Sequence, residues 1–235
     1  MKDRSFSAVV LAGGSGRRMG SDMKKQYMPL CGRPVICYAL EAFEKSPVDE
    51  IILVVSPGDE DYVREDIVER FGYSKVGQIV PGGAERYDSV YNGILAAGGY
   101  YVLIHDGARA LLSQDIIDRT MEALTRHGAC VVGMPAKDTI KIADEDGFVE
   151  STPQRERLWA VQTPQAFIRV ELIAAYDALR GREAGFLGIT DDCMILERAG
   201  GRKIALVEGS YNNIKITTPE DIPVAERVIL QRDSI

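Results

Sequence analysis

Phe6-Ser7-Ala8-Val9-Val10-Leu11-Ala12-Gly13-Gly14-Ser15-Gly16-Arg17-Arg18 is the stretch that decides how this chain is read. Its first half is an apolar run of strand length, and its second half is glycine-rich and basic. Phe6 to Leu11 reads as a buried strand. Glycines let the backbone bend back and bring N–H groups close to an anion. This turn lies at the carboxyl end of a strand, where open α/β sheets bind ligands. Neither common phosphate motif fits. Met19 occupies the third glycine position of G-x-G-x-x-G, and no G-x-x-x-x-G-K-[ST] can be placed. Charge is what distinguishes the loop: Arg17, Arg18, Lys24 and Lys25 stand against a single acid, Asp22. A solvated loop with basic neighbours is the bland alternative. Position and charge together favour a polyphosphate cradle.

Outward from this stretch, strand and helix patterns alternate. Pro34 to Lys45 predicts a helix with proline at its opening and Ile36, Leu40 and Phe43 on one face. Glu50 to Val55 predicts a strand covered on both faces, followed by a helix from Asp59 to Phe71. Lys75 to Val80, Tyr100 to His105 and Ala129 to Met134 read as strands. Between them lie helices from Glu85 to Ala97 and, capped by Ser113, to Arg126. Such repeats imply an α/β fold: a single Rossmann-like domain over residues 1–235, its mostly parallel twisted sheet flanked by helices. The pattern breaks between 137 and 157. Asp138 to Ile142 and Gly147 to Glu150 flank the turn-rich Ala143-Asp144-Glu145-Asp146, which predicts a protruding β-hairpin poor in core residues. Beyond it, helices around Arg169–Leu179, Asp191–Arg198 and Pro219–Gln231 surround one more strand, Lys203 to Val207. Thr218 and Pro219 resemble a helix start.

The chain has 235 residues, a formal net charge of −7, 46% hydrophobic and 27% charged residues. That balance excludes disordered and fibrous classes. No apolar run approaches the ~18 residues of a membrane span, and the start is too weakly apolar for a signal peptide. The expectation is a soluble, cytoplasmic protein. Cys31, Cys37, Cys130 and Cys193 form no C-x-x-C pair, so they read as reduced and mostly buried rather than as a zinc site or disulfide framework. An acidic chain is a poor sequence-independent binder of nucleic acid. Any anion site must be local.

Further candidates fall at strand ends and turns. Pro81-Gly82-Gly83-Ala84-Glu85-Arg86 follows the third strand, with Asp88 and Ser89 just inside the next helix. His105-Asp106-Gly107-Ala108-Arg109 ends the fourth strand: an aspartate there can hold a metal or a hydroxyl, and an arginine a phosphate. His105 itself reads as a packed strand residue. Asp138-Thr139-Ile140-Lys141, Arg155-Glu156-Arg157, Gln162-Thr163-Pro164-Gln165, Ile189-Thr190-Asp191-Asp192 and Asn213-Ile214-Lys215 complete the set.

In this order, these motifs resemble the 2-C-methyl-D-erythritol 4-phosphate cytidylyltransferases. The resemblance covers nearly the whole chain. It implies a Mg²⁺-dependent reaction of CTP with methylerythritol phosphate in the non-mevalonate isoprenoid route, releasing pyrophosphate. It also implies a homodimer joined through the hairpin arm. Carried over by motif, Ala12, Gly13, Gly14 and Gly16 would hold the triphosphate, Gly82 and Ser89 the cytidine, with Gly107 near base and ribose. Arg18 and Lys25 would stabilise the transition state, while Lys215 and Arg155 of the partner's arm would position the substrate phosphate. Asp106, Arg109, Thr163 and Thr190, with Thr139 from that arm, would surround the polyol. No protein ligand for Mg²⁺ is implied with certainty; the CTP phosphates would hold it, with Asp106 as the possible contributor. Lys24 competes with Lys25 for its role, and Gln26-Tyr27 sets the register in favour of Lys25. Arg157 competes with Arg155, and Leu158-Trp159 favours Arg155. Ala110 stands where a proline commonly follows the arginine. A ribitol 5-phosphate cytidylyltransferase and a non-catalytic nucleotide-binding regulator are the rival readings.

Overall fold

The computed structural model describes residues 4–14, 23–180, 186 and 188–232. Strand β1 (Phe6–Ala12) leaves the glycine loop at its carboxyl end. The chain returns through a short ribbon, β2 (Pro29–Leu30) and β3 (Arg33–Pro34), into helix α1 (Val35–Glu44). Strand β4 (Glu50–Val55) follows. Helix α2 (Glu60–Tyr62) then continues through wider turns over Val63–Glu69 to β5 (Val76–Pro81). Next come α3 (Arg86–Ala96), β6 (Tyr101–Asp106), α4 (Gln114–His127) and β7 (Ala129–Pro135). A small ladder, β8 (Ile142–Ala143) with β9 (Val149–Ser151), precedes β10 (Trp159–Ile168). The remainder is α5 (Arg169–Arg180), α6 (Asp192–Arg198), β11 (Ala205–Glu208) and α7 (Asp221–Arg232).

Seven strands form the central sheet in the order β11-β7-β10-β6-β1-β4-β5. All neighbours are parallel except β10, which runs antiparallel to both β6 and β7. The chain moves outward from β1 through β4 to β5, then crosses back to lay β6 on the other side of β1. Such a reversal opens a crevice at the carboxyl ends of the strands. Register makes this concrete: Leu11 pairs with Asp106 and Ala12 with Val55, so the loops after β1 and β6 leave the sheet side by side.

Period-two alternation sorts the core. Ala8, Val10 and Ala12 join Ile51, Leu53 and Val55 under α1 and α4. Val9, Ile52, Val54, Val102 and Ile104 pack on the other face with Val90 and Ile94 of α3 and with Leu172 and Tyr176 of α5. Fully burying each such valine, leucine or isoleucine side chain contributes roughly 1.5–3 kcal/mol. A third cluster seats α7, through Ala225 and Ile229, on Leu30, Leu111 and Ile216. Among the described residues no helix is long and apolar enough to cross a membrane.

Several expectations need correction. β10 was not foreseen: a proline inside a run argues against a central strand. Here Pro164 falls where the register with β7 shifts between Val161 and Gln165, so no ladder bond is asked of it. The small ladder is shorter than the expected hairpin, because Asp138 to Lys141 take no strand structure, although residues 137–152 are exposed throughout. Ser113 stands at the start of α4 without a side-chain cap bond. Helix α7 begins at Asp221 instead of Pro219, since the Asp221 carboxylate accepts from the Thr217 and Thr218 amides at 2.7 and 2.9 Å.

Candidate active site

The glycine loop is held from beneath. Gln26, almost fully buried, donates through Nε2 to the carbonyls of Ala12 (2.5 Å) and Gly14 (3.1 Å). The Ser56 hydroxyl donates to the Gly13 carbonyl at 3.1 Å. Carbonyl dipoles satisfied by the protein in this way oppose an incoming anion less. Gly16 and Arg18 lie outside the described residues. The neighbouring lysines part company. Lys24 Nζ donates to both Asp59 carboxylate oxygens, at 2.7 and 2.6 Å, whereas Lys25 lines a cavity of 420 Å³ together with Ala12, Gly13 and Gly14.

Across that cavity lies the turn after β5. Ser89 lines the wall, and its Oγ accepts from the Gly83 amide at 3.0 Å. Gly82 sits just behind. Its amide donates to the Val55 carbonyl at 2.7 Å, and a Cβ there would come within 2.8 Å of Ser89 Oγ. Gly107 is likewise a close-approach position behind the cavity: its amide donates to the Leu11 carbonyl at 2.9 Å, and a Cβ would meet that oxygen at 3.0 Å.

Asp106, at the end of β6, is the electrostatic centre. Lys215 Nζ lies 2.8 Å from one carboxylate oxygen and Arg109 Nε 3.8 Å from the same one; Arg86 Nε is 3.6 Å from the other. Burial alone would raise this carboxyl's pKa. The attraction of Arg86 and Lys215, with Arg109, outweighs it and holds the group well below the usual carboxylate range. The neighbouring loop is pinned by Asn213, fully buried, whose Nδ2 donates to the Thr163 carbonyl at 3.0 Å while its backbone carbonyl accepts from Arg109 Nη1 at 2.7 Å. Thr163 Oγ1 accepts from the Asp106 amide at 3.1 Å. Thus β10, the strand missing from the sequence reading, carries Thr163 to Asp106.

A second cavity, of 700 Å³, is lined by Arg109, Thr163, Thr190 and Trp159 among others. Arg86, Asp106 and Lys215 line both cavities and so form their shared wall. His105 stays out of both, as expected of a packed residue: it is fully buried, with Nδ1 2.9 Å from Thr163 Oγ1. Burial pushes its pKa down to about 4.

Two expected residues are not brought to the site within this chain. Thr139 and Arg155 are exposed and line neither cavity, and Arg155 donates to the Lys137 carbonyl at 3.2 Å. Arg157 is exposed as well. Conversely, sequence reasoning assigned no role to Arg86 or Gln26. Arg86 pairs with Asp192, 106 positions away, and no local pattern announces such a pair. For Gln26, its place beside Lys25 is the sequence signal that points to it.

A divalent cation finds no ready-made cage here. Among the described residues no group of three potential metal ligands occurs. Of the carboxylates on the smaller cavity's wall, Glu85 accepts from the first turn of α3, and Asp106 already faces three cations. This donor set fits a divalent cation held largely by groups other than these side chains, with Asp106 as at most one protein ligand.

Comparisons with known proteins identify the family. A family model described as 2-C-methyl-D-erythritol 4-phosphate cytidylyltransferase matches residues 6–232. A curated protein of that name from Lachnospira eligens is 49% identical over 222 residues, covering 93% of this chain and 96% of its own length. One from Pelotomaculum thermopropionicum is 48% identical over 229 residues, covering 96% of this chain and 94% of its own. The crystal structure of 4-diphosphocytidyl-2C-methyl-D-erythritol synthase from Anaerococcus prevotii superposes with a TM-score of 0.85 at 33% identity, over 97% of this chain and 96% of that one. Match over nearly the full length, by sequence and by fold, makes this chain a member of the 2-C-methyl-D-erythritol 4-phosphate cytidylyltransferase family.

Proposed function

We propose that this chain transfers a cytidylyl group from CTP to 2-C-methyl-D-erythritol 4-phosphate, giving 4-diphosphocytidyl-2-C-methyl-D-erythritol and pyrophosphate. The observation that carries the reading is the shared wall: two cavities of different character meet at Arg86, Asp106 and Lys215. The smaller, rimmed by the glycine loop and Lys25, suits a nucleoside triphosphate. The larger, lined by hydroxyl and cationic groups, suits a polyol phosphate.

In this reading the acceptor phosphate attacks the α-phosphorus in line and the P–O bond to pyrophosphate breaks. The acceptor phosphate is already ionised near neutral pH, so neither a nucleophilic side chain nor a strong base is required. What the protein must do is bring two polyanions together and stabilise the charge that develops. Lys25 and Arg18 act at the triphosphate, and Lys215, beside Asp106, draws in the acceptor phosphate. Asp106, held ionised, accepts from a polyol hydroxyl, with Arg109, Thr163 and Thr190 around it. Gly82, Ser89 and Gly107 shape the nucleoside end. Mg²⁺, bound with the CTP, would supply charge neutralisation, with Asp106 as the one side chain here that could help to hold it. Thr139 and Arg155 belong to the site of a second subunit, reached by the arm at 137–157 in a homodimer. The four thiols, three of them buried, suit the reducing cytoplasm.

Pyrophosphate release with CTP and either methylerythritol phosphate or ribitol 5-phosphate tests the reading. Turnover with the former alone is expected. Turnover with ribitol 5-phosphate alone, or CTP binding without product, would overturn it.

A further inference from the structure

The wall between the cavities has a support that lines neither of them. Asp192, at the first position of α6, is fully buried, and its two carboxylate oxygens accept from Arg86 Nη1 and Nη2, each at 2.8 Å. This is the fork-on-carboxylate geometry that fixes a guanidinium in one plane. The carboxylate is itself held. Its backbone amide donates to Gln165 Oε1 at 2.8 Å, and the buried Tyr176 hydroxyl donates to Oδ1 at 3.4 Å. With both terminal nitrogens of Arg86 turned toward Asp192, the edge left for Asp106 is Nε, 3.6 Å from the Asp106 carboxylate.

We infer that Asp192 is a positioning residue: it acts through Arg86 to set Asp106 for the acceptor, and it keeps that guanidinium from swinging onto the nucleotide's phosphates. The reason is competition. Arg86 lines the triphosphate-sized cavity, and a guanidinium released from its carboxylate is a strong bidentate phosphate ligand. Held by Asp192, it stays in the wall; released, it binds CTP in a pose that no longer places Asp106. Buried partners of this kind, which orient a group without touching substrate, are typically worth about ten- to a hundredfold when removed.

The inference rests on reading the larger cavity as the acceptor's. Its test uses the full-length protein with CTP and methylerythritol phosphate. Asp192→Asn keeps the side-chain volume and an acceptor oxygen but loses the charge. It is expected to lower kcat and raise the acceptor KM, together costing about tenfold or more in kcat/KM, while the CTP KM stays level or falls. Arg86→Lys cannot form the fork and remains measurable if Asp192→Asn fails to fold; it is expected to show the same split. In the Arg86→Lys background, adding Asp192→Asn should change little, because the route from Asp192 to Asp106 is already cut. A loss of active protein with both KM values unchanged, or an undiminished Asp192→Asn effect in the Arg86→Lys background, would overturn the inference alone. Absence of wild-type turnover would overturn it together with the reading beneath it.

Discussion

Lys24 and Lys25 are adjacent and chemically identical, yet the fold sends them to different work. Lys24 is ion-paired to Asp59, which also accepts from the Tyr27 hydroxyl at 3.0 Å, whereas Lys25 faces the smaller cavity. Lys25→Ala should therefore lower kcat by a hundredfold or more, equivalent to about 3 kcal/mol of lost transition-state stabilisation. Lys24→Ala should leave kcat within about twofold and cost at most ~1 kcal/mol of stability, as partly exposed ion pairs do. Steady-state kinetics of the two variants decide the assignment, and the reverse pattern would exchange their roles. His105 offers a different handle. Unfolded, its imidazole takes up a proton near pH 6.5; folded, it resists until about pH 4. The stability it contributes is thus complete above pH 6.5 and is lost as the pH falls toward 4, an effect of roughly 3 kcal/mol. Asp106 follows the same sign in a lower window: its contribution is present above the ordinary aspartate value of 3.8 and fades below it. Urea midpoints measured from pH 7 to pH 4 should fall steeply for the wild type. His105→Asn should start lower and fall less; parallel curves would remove His105 as the source.

At the level of elements, α3 binds the site to the sheet. It begins in a capping box in which Glu85 and Asp88 satisfy each other's backbone amides, with Arg86 as its first residue and Ser89 on its cavity side. Gly93, one turn further, allows its close approach. A Cβ at that position would lie 2.4 Å from Val9 Cγ1 and 2.9 Å from Val54 Cγ2, atoms of the two strands beneath. In an isolated helix alanine is better than glycine by about 1 kcal/mol. Here overpacking should win and cost roughly 1–3 kcal/mol. Gly93→Ala should thus lower the thermal midpoint and, by lifting Arg86 and Ser89, raise the CTP KM. A midpoint raised by the substitution would show that the helix shifts without cost. The antiparallel β10 is the other decisive element: it inserts between β6 and β7 and carries Thr163 to the Asp106 amide.

Across the whole molecule, the stretch 137–152 is exposed throughout and carries the two most exposed large apolar side chains among the described residues. Phe148 and Val149 are 72% and 63% exposed, beside Ile140 and Ile142. Its root is anchored: Lys137 Nζ lies 3.4 Å from the Tyr211 ring centre, and the Tyr211 hydroxyl donates to the Pro135 carbonyl at 2.9 Å. Exposed apolar side chains on an anchored projection are what an interface between copies of the chain requires. If the proposed homodimer forms through this arm, replacing Phe148 and Val149 together by serine should give a monomer in sedimentation velocity where the wild type is a dimer, with loss of turnover because Thr139 and Arg155 would no longer reach the neighbouring site proposed for them. A variant that stays dimeric and active would remove the arm from both roles.

The alternation of buried strands with amphipathic helices, the glycine turn at the carboxyl end of β1 and the order of the family's motifs were all legible in the linear chain. Each rests on local rules: side-chain periodicity, glycine's freedom at turns, and the tendency of functional loops to follow strands. Three things were decided only on folding. β10 enters the sheet because its proline falls in a register shift, which no propensity for residues 159–168 reveals. The register of Gln26-Tyr27 already favoured Lys25 over Lys24, but that Asp59 comes to stand beside Lys24 and pairs with it is decided by the fold. The wall between the cavities exists because Arg86, Asp106, Asp192 and Lys215 meet from four separate segments. Contacts made across such sequence distances follow from the packing of the whole sheet, and so they belong to the tertiary structure alone.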